Sequence, residues 1–296
     1  MATKFRQFFY AITLSLLSTS AMATENGGVG LYPDGLDNYL SGALPPPGFH
    51  TAFYAGNIHY TELRGNHGAL LPVPGFKANV NFLAPRALWV TEKQILGGQL
   101  AFHMVMPLLD VTLKGNGQSS NNKGIGDVTV GSVLGYHPQP DLDYVIGLDT
   151  YAPTGRYNRQ DPASVGKNHW GLQPAMAVSY SPAYGINADL KVMYDINFKN
   201  KATNTTSGQA IHADYALGWG VGNGLVLGVG GYVFQQITND HGPNSAQGKE
   251  SGFGLGPSVR YANNKGWLLT LKWQKDIVAN NRPAGSQVFL KAVVPF

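Results

Sequence analysis

Residues 185–199, GINADLKVMYDINFK, alternate without a break. Ile186, Ala188, Leu190, Val192, Tyr194, Ile196 and Phe198 are separated by Asn187, Asp189, Lys191, Met193, Asp195 and Asn197. A hydrophobic period of two predicts a β-strand with one apolar and one wet face. At about 3.3 Å per residue this strand approaches 50 Å, well beyond an ordinary strand. The same pattern recurs along the chain. About twelve runs are predicted, spanning 49–63, 75–90, 98–112, 124–137, 142–153, 169–181, 185–199, 207–221, 225–237, 252–262, 266–278 and 286–296. The first three are the least regular, being interrupted by Pro85, Arg86 and Pro107.

The connections carry a second pattern. From residue 113 onward, tight turns (PQPD, PAY, GNG, NNK) take turns with longer polar stretches (KGNGQSSNN, TGRYNRQDPASVGKN, NKATNTTS, TNDHGPNSAQGKES, ANNRPAG). A transmembrane β-barrel has short periplasmic turns and long extracellular loops, whereas a soluble sandwich has no reason for strict alternation. The aromatics give an independent indication. Tyr136, Tyr144, Tyr180, Tyr184, Trp219, Tyr261 and Trp267 fall beside the short turns and on the apolar faces, with Phe296 at the same edge. Amphipathic rings collect at the boundary of hydrocarbon and water, so these eight are candidates for a membrane girdle. The expected fold is therefore all-β: one transmembrane antiparallel barrel of about twelve strands over residues 49–296. Only a closed sheet satisfies its backbone in lipid.

Composition agrees with this picture. Charged residues make up 13% of the 296, about half the usual share, and there are 38 glycines and no cysteine. Disulfides and thiolate metal sites are excluded. No run of 18 apolar residues is present, so no transmembrane helix is expected. The first 23 residues read as a secretory signal peptide: Lys4 and Arg6, the apolar stretch FFYAITLSLL, and an Ala21-Met22-Ala23 cleavage site. Cleavage near Ala23 leaves a mature formal charge of +2, too small to argue for nucleic acid.

Residues 24–48, TENGGVGLYPDGLDNYLSGALPPPG, lack strand alternation. They form either a periplasmic tail or a plug folded into the lumen. The plug is favoured, with Tyr32, Leu36, Tyr39, Leu40 and Leu44 as its apolar contacts, because twelve strands enclose more room than the eight whose side chains fill a barrel.

Strand parity points Asp189, Lys191, Asp195, His212, Asp214, Arg260, Lys272 and Lys291 into the lumen. Mutual neutralisation of a polar wall is favoured over a transverse field that selects solutes. His212 and Asp214 could belong to a metal site or a catalytic relay, but no third ligand is placed by the sequence, so wetted wall is the better reading. GWGVGNGLVLGVGG (218–231) holds no G-x-G-x-x-G, and its glycines read as a bend or turn between strands. No G-x-S-x-G is present and no catalytic triad can be assembled, so neither enzyme activity nor a cofactor is expected.

GIGDVTVGSVLGYH (124–137), APTGRY (152–157), GGYVFQQITND (230–240), GPSVRY (256–261) and ALPPPGF (43–49) resemble, in matching order, the outer-membrane family named for the meta pathway of phenol degradation. The resemblance implies an outer-membrane barrel of a Gram-negative bacterium that moves aromatic or other hydrophobic compounds inward. GKNHW (166–170) departs from the family by carrying His169 where Tyr is expected. The implied partners are outer-membrane lipid and lipopolysaccharide, the barrel-assembly machinery and a small hydrophobic solute. The alternatives are a barrel without a transport role, such as an adhesin or envelope structural protein, and then an outer-membrane hydrolase. The Gly-, Asn- and Ser-rich loops argue against aromatic-tipped adhesion.

Overall fold

The computed structural model describes residues 30–296 except 244, 246, 247, 264, 295 and 296. The signal peptide, its cleavage site, residues 24–29 and Phe296 lie outside the described residues. Fourteen strands follow one another: β1 (Gly48–Arg64), β2 (Lys77–Ile95), β3 (Gly98–Val105), β4 (Leu108–Gly115), β5 (Gln118–Ile125), β6 (Val128–Gln139), β7 (Leu142–Ala152), β8 (Gly171–Tyr180), β9 (Tyr184–Asn197), β10 (Ala210–Gly222), β11 (Leu225–Gln236), β12 (Ser251–Ala262), β13 (Leu268–Asn280) and β14 (Arg282–Val294). β3 and β4 are halves of one barrel strand broken at Met106-Pro107. β5 and β6 are halves of the next, broken at Gly126-Asp127. The result is twelve antiparallel barrel strands. β1 closes the sheet by pairing with both β14 and β2, in register Thr51↔Val294 and Gly48↔Val90.

Alternation decides which way each side chain faces. On β9, Ile186 and Leu190 are exposed while Asn187, Asp189, Met193 and Asp195 are buried. Leu190 keeps 48% of its surface and Asp189 only 5%. β10 and β13 follow suit, with Leu217, Trp219, Leu269, Leu271 and Trp273 outward against His212, Asp214, Thr270 and Lys272 inward. An apolar outer belt around a polar interior inverts the arrangement of a water-soluble domain. No helix among the described residues is long and apolar enough to cross a membrane.

The structure corrects the loop pattern. KGNGQSSNN and ANNRPAG are not irregular loops. β4 and β5 extend to a two-residue turn at Asn116-Gly117, both with positive φ, and β13 and β14 meet at Asn281 (φ 55). Asn and Gly adopt left-handed backbone at low cost, so polar sequence here continues a ladder instead of ending it. Beyond the Gly126-Asp127 break, β5 pairs with β4 alone among the strands. Its other flank meets the long 153–170 loop, where Asp161 accepts hydrogen bonds from Ser120 (2.6 Å) and Asn122 (2.7 Å). Pro85 does not interrupt β2, which runs on through Arg86 to Ile95.

Candidate functional site

A twelve-stranded barrel has interior space to fill, and residues 30–47 occupy it. Leu31 packs with Tyr151 and Met193 near the long-loop ends of β7 and β9. Leu44 packs with Val90 and Ala101 near the turn joining β2 and β3. The segment therefore runs along the barrel's length before entering β1.

Its hold is mainly polar, although the sequence suggested apolar anchors. Asp214 gathers three donors: the Tyr32 hydroxyl (2.8 Å) and the amides of Gly35 (2.7 Å) and Asp37 (2.9 Å). Asp37 accepts from Lys191 (2.7 Å) and lies 3.4 Å from the Lys291 ammonium. Lys272 donates to the Asp37 carbonyl (2.8 Å) and Lys291 to that of Tyr39 (2.9 Å). Arg282 pairs with Asp34 (2.7 Å), and Gln274 donates to the Asp34 carbonyl (3.0 Å). Asp189 accepts from the amide of Ser41 (3.0 Å) and from Ser179. Burial opposes ionisation of Asp37, but the Lys191 and Lys291 ammonium groups outweigh it and hold the carboxyl well below the usual range. Burial likewise opposes ionisation of Asp34, and Arg282 and His212 more than offset it.

Of the apolar contacts expected for this segment, Tyr32, Tyr39 and Leu44 are buried, whereas Leu36 and Leu40 are half-buried. Tyr39 is fully enclosed. Its hydroxyl reaches the place where Gly218 and Gly228 face each other across β10 and β11, and it accepts from Ser258 (3.2 Å). A Cβ on either glycine would meet that hydroxyl. These glycines, read from sequence as relieving curvature, make the socket for Tyr39.

The expected interior charges are buried or half-buried, but they do not simply neutralise one another. Lys191, Lys291, Asp189 and Asp214 find partners in the N-terminal segment. His212 and Asp214 share a face yet serve different neighbours: His212 lies 3.2 Å from both Asp34 and Asp195, while Asp214 holds the segment backbone. No group of three His, Cys, Asp or Glu among the described residues could hold a metal ion. Arg260 stacks over the Tyr39 ring at 5.9 Å. On the outer face Tyr180, Tyr184, Trp219, Tyr261 and Trp267 are exposed, and Tyr136 stacks on Tyr144 at 4.5 Å.

The segment leans on β8–β14, where the interior charges are concentrated. The opposite wall, β1–β7, mixes aliphatic side chains such as Ala84, Leu88, Val105 and Val133 with Tyr54, Arg86, His103 and Asp149. Between the two lies a cavity of about 490 Å³ with Leu36, Leu40, Leu88, Val105, Val133 and Val145 in its lining. It holds polar groups that sequence reading passed over. His103 lies 2.9 Å from Asp149, the pair reaching over β6 at Gly131, whose Cβ would meet both side chains. Arg86 donates to the Tyr54 hydroxyl at 3.4 Å. Parity alone would have found Arg86, since Ala84, Arg86 and Leu88 share one face of β2.

Fold and interior together define an outer-membrane-type β-barrel with an occupied interior and an apolar cavity along one wall. The chain belongs to the family described as "Putative MetA-pathway of phenol degradation", matched over residues 62–292. The crystal structure of an outer membrane channel from Pseudomonas putida F1 is similar, with TM-score 0.77 and 20% identity over 88% of this chain and 99% of that one. Two further barrels are more distant. The beta domain of a Bordetella autotransporter has TM-score 0.49 and 13% identity over 84% of this chain and 99% of that one. A monoaromatic hydrocarbon channel has TM-score 0.42 and 10% identity over 83% and 87%. No curated protein matches the chain.

Proposed function

We propose that the protein is an outer-membrane channel for passive entry of small hydrophobic or aromatic solutes, in which the segment 24–48 is a plug. The observation that carries this is the apolar cavity of about 490 Å³ between the segment and the β1–β7 wall. Its size falls within the roughly 300–1,000 Å³ of small-molecule sites. A plug held against the charged wall leaves the other wall for an apolar solute while obstructing hydrated ions. Family membership supports the link to aromatic degradation, and the likeness to an outer membrane channel supports the barrel's setting. The charged residues Asp189, Lys191, Asp195, His212, Asp214, Arg260, Lys272 and Lys291 serve here as lumen wall, most of them holding the plug. The exposed aromatics beside the short turns serve as the girdle. Outer-membrane lipid and lipopolysaccharide surround the belt, and the barrel-assembly machinery inserts the chain after cleavage near Ala23.

The test is flux through proteoliposomes. Phenol should enter protein-containing vesicles faster than protein-free ones, while a sugar of comparable size should not. Equal phenol entry with and without protein would remove the transport role.

A further inference from the structure

The cavity carries a guanidinium that has no carboxylate within ion-pair distance among the described residues. Arg86 projects from the middle of β2, between Ala52 of β1 and Val105 of β3. Its one hydrogen bond is the long contact to Tyr54, and its Nε is shielded from solvent without a partner among the described residues. The carboxylates that line the same cavity are engaged elsewhere. Asp34 is held by Arg282, Asp37 by Lys191 and Lys291, Asp149 by His103, and Asp127 by the amides of Gly155 (2.9 Å) and Lys167 (2.8 Å). None comes within ion-pair distance of Arg86. Lys191, Lys291 and Arg282 each have a carboxylate within ion-pair distance; Arg86 has none among the described residues. Arg260 also lacks one, but it lies against Tyr39 outside the cavity.

The guanidinium is half-buried and makes one long hydrogen bond, so it keeps donors free for an entering anion, with which a direct pair would be stronger than the more distant charges of the wall. The guanidinium fork matches a carboxylate in a bidentate pair. The Tyr54 hydroxyl, which accepts from Arg86, keeps its own proton to donate. Ala52, Ala84, Leu88 and Val105 flank Arg86 on the inner wall, so an aliphatic surface lies beside the charge, with the His103–Asp149 pair as its polar neighbour. The geometry points to a binding site for a small monocarboxylate with an apolar body, its carboxylate on Arg86 and Tyr54 and its body, a benzene ring in the simplest case, on the β1–β3 wall. The choice of an aromatic body rests on the channel reading above; the choice of a carboxylate rests on Arg86.

Calorimetric titration of the purified mature protein in detergent micelles tests this with benzoate and its neutral isostere benzamide. Benzoate should bind at least tenfold more tightly than benzamide. Arg86→Gln should reduce benzoate affinity at least tenfold and leave benzamide affinity unchanged, and Arg86→Lys should fall between. Equal affinity of the wild type for the two ligands would overturn the assignment, and that comparison needs no variant to fold. So would unchanged benzoate binding in an Arg86→Gln protein that still migrates as a folded barrel on unheated gels. Phenol flux without benzoate preference removes this site and leaves the channel reading. Arg86-dependent benzoate binding without flux of either solute does the reverse.

Discussion

Asp37 is the residue on which retention of the N-terminal segment should depend most. Its carboxylate meets the Lys191 ammonium at 2.7 Å and the Lys291 ammonium at 3.4 Å, deep inside the barrel. Asp37→Asn preserves shape and the backbone bonds of residue 37 but leaves two shielded ammonium groups facing an amide. Breaking a buried pair by removing one partner costs about 3–5 kcal/mol. The Lys191 side chain retains 16% of its exposure, which places the figure at the low end of that range. Even about 3 kcal/mol shifts the balance between seated and released segment by roughly two orders of magnitude. Release re-wets both lysines, so the strain is relieved by unseating the segment and not by unfolding the wall. Chymotrypsin reports the release, because Tyr39 is fully enclosed when the segment is seated. The variant should be cleaved near Tyr39 at least tenfold faster than the wild type. Its planar-bilayer conductance should rise, and it should keep the gel-mobility shift between unheated and boiled samples. Adding Lys191→Met to Asp37→Asn should restore part of the protection, since it removes one of the stranded charges. If Asp37→Asn is cleaved no faster and conducts no more, the ion pairs do not hold the segment.

Three further outcomes follow from the same geometry. Deleting residues 24–46 after the cleavage site should leave the barrel folded, raise ion conductance and reduce discrimination between aromatic solutes and sugars; unchanged conductance would make the segment a periplasmic tail. Leu190→Arg places a charge in the outer belt at a cost of about 2–4 kcal/mol and should block insertion, whereas Asp189→Asn should insert normally as read by membrane fractionation; the opposite result would reverse the faces of β9. The carboxyls of Asp34 and Asp37 are depressed in the seated state, so their contribution is complete above the ordinary aspartate value of about 3.9 and is lost as pH falls through the depressed values. Protection from proteolysis at Tyr39, assayed with an acid-active protease, should therefore weaken below about pH 4.

The barrel itself was legible in the sequence because its signal is local. A period of two assigns Leu190 outward and Asp189 inward from neighbouring residues alone, and twelve such runs in a closed sheet follow from the need to satisfy every backbone amide in lipid. Even so, KGNGQSSNN and ANNRPAG looked like loops, because polar composition cannot separate a loop from strands that extend past the membrane to an Asn-Gly turn or to the left-handed Asn281. Arg86 was legible in principle, since it sits at the correct parity on β2, but it was read as an interruption. What no local pattern contains is the interior arrangement. Asp37 meets Lys191 across 154 residues of sequence and Lys291 across 254. Tyr39 needs Gly218 and Gly228 on adjacent strands, and His103 reaches Asp149 only over the bare backbone of Gly131. Sequence set the two faces of the wall because side-chain direction along a strand depends on the chain's own period. Tertiary structure decided that the segment seats on β8–β14 and leaves the cavity at β1–β7, because charge pairing between distant residues exists only once closure brings those strands round one interior.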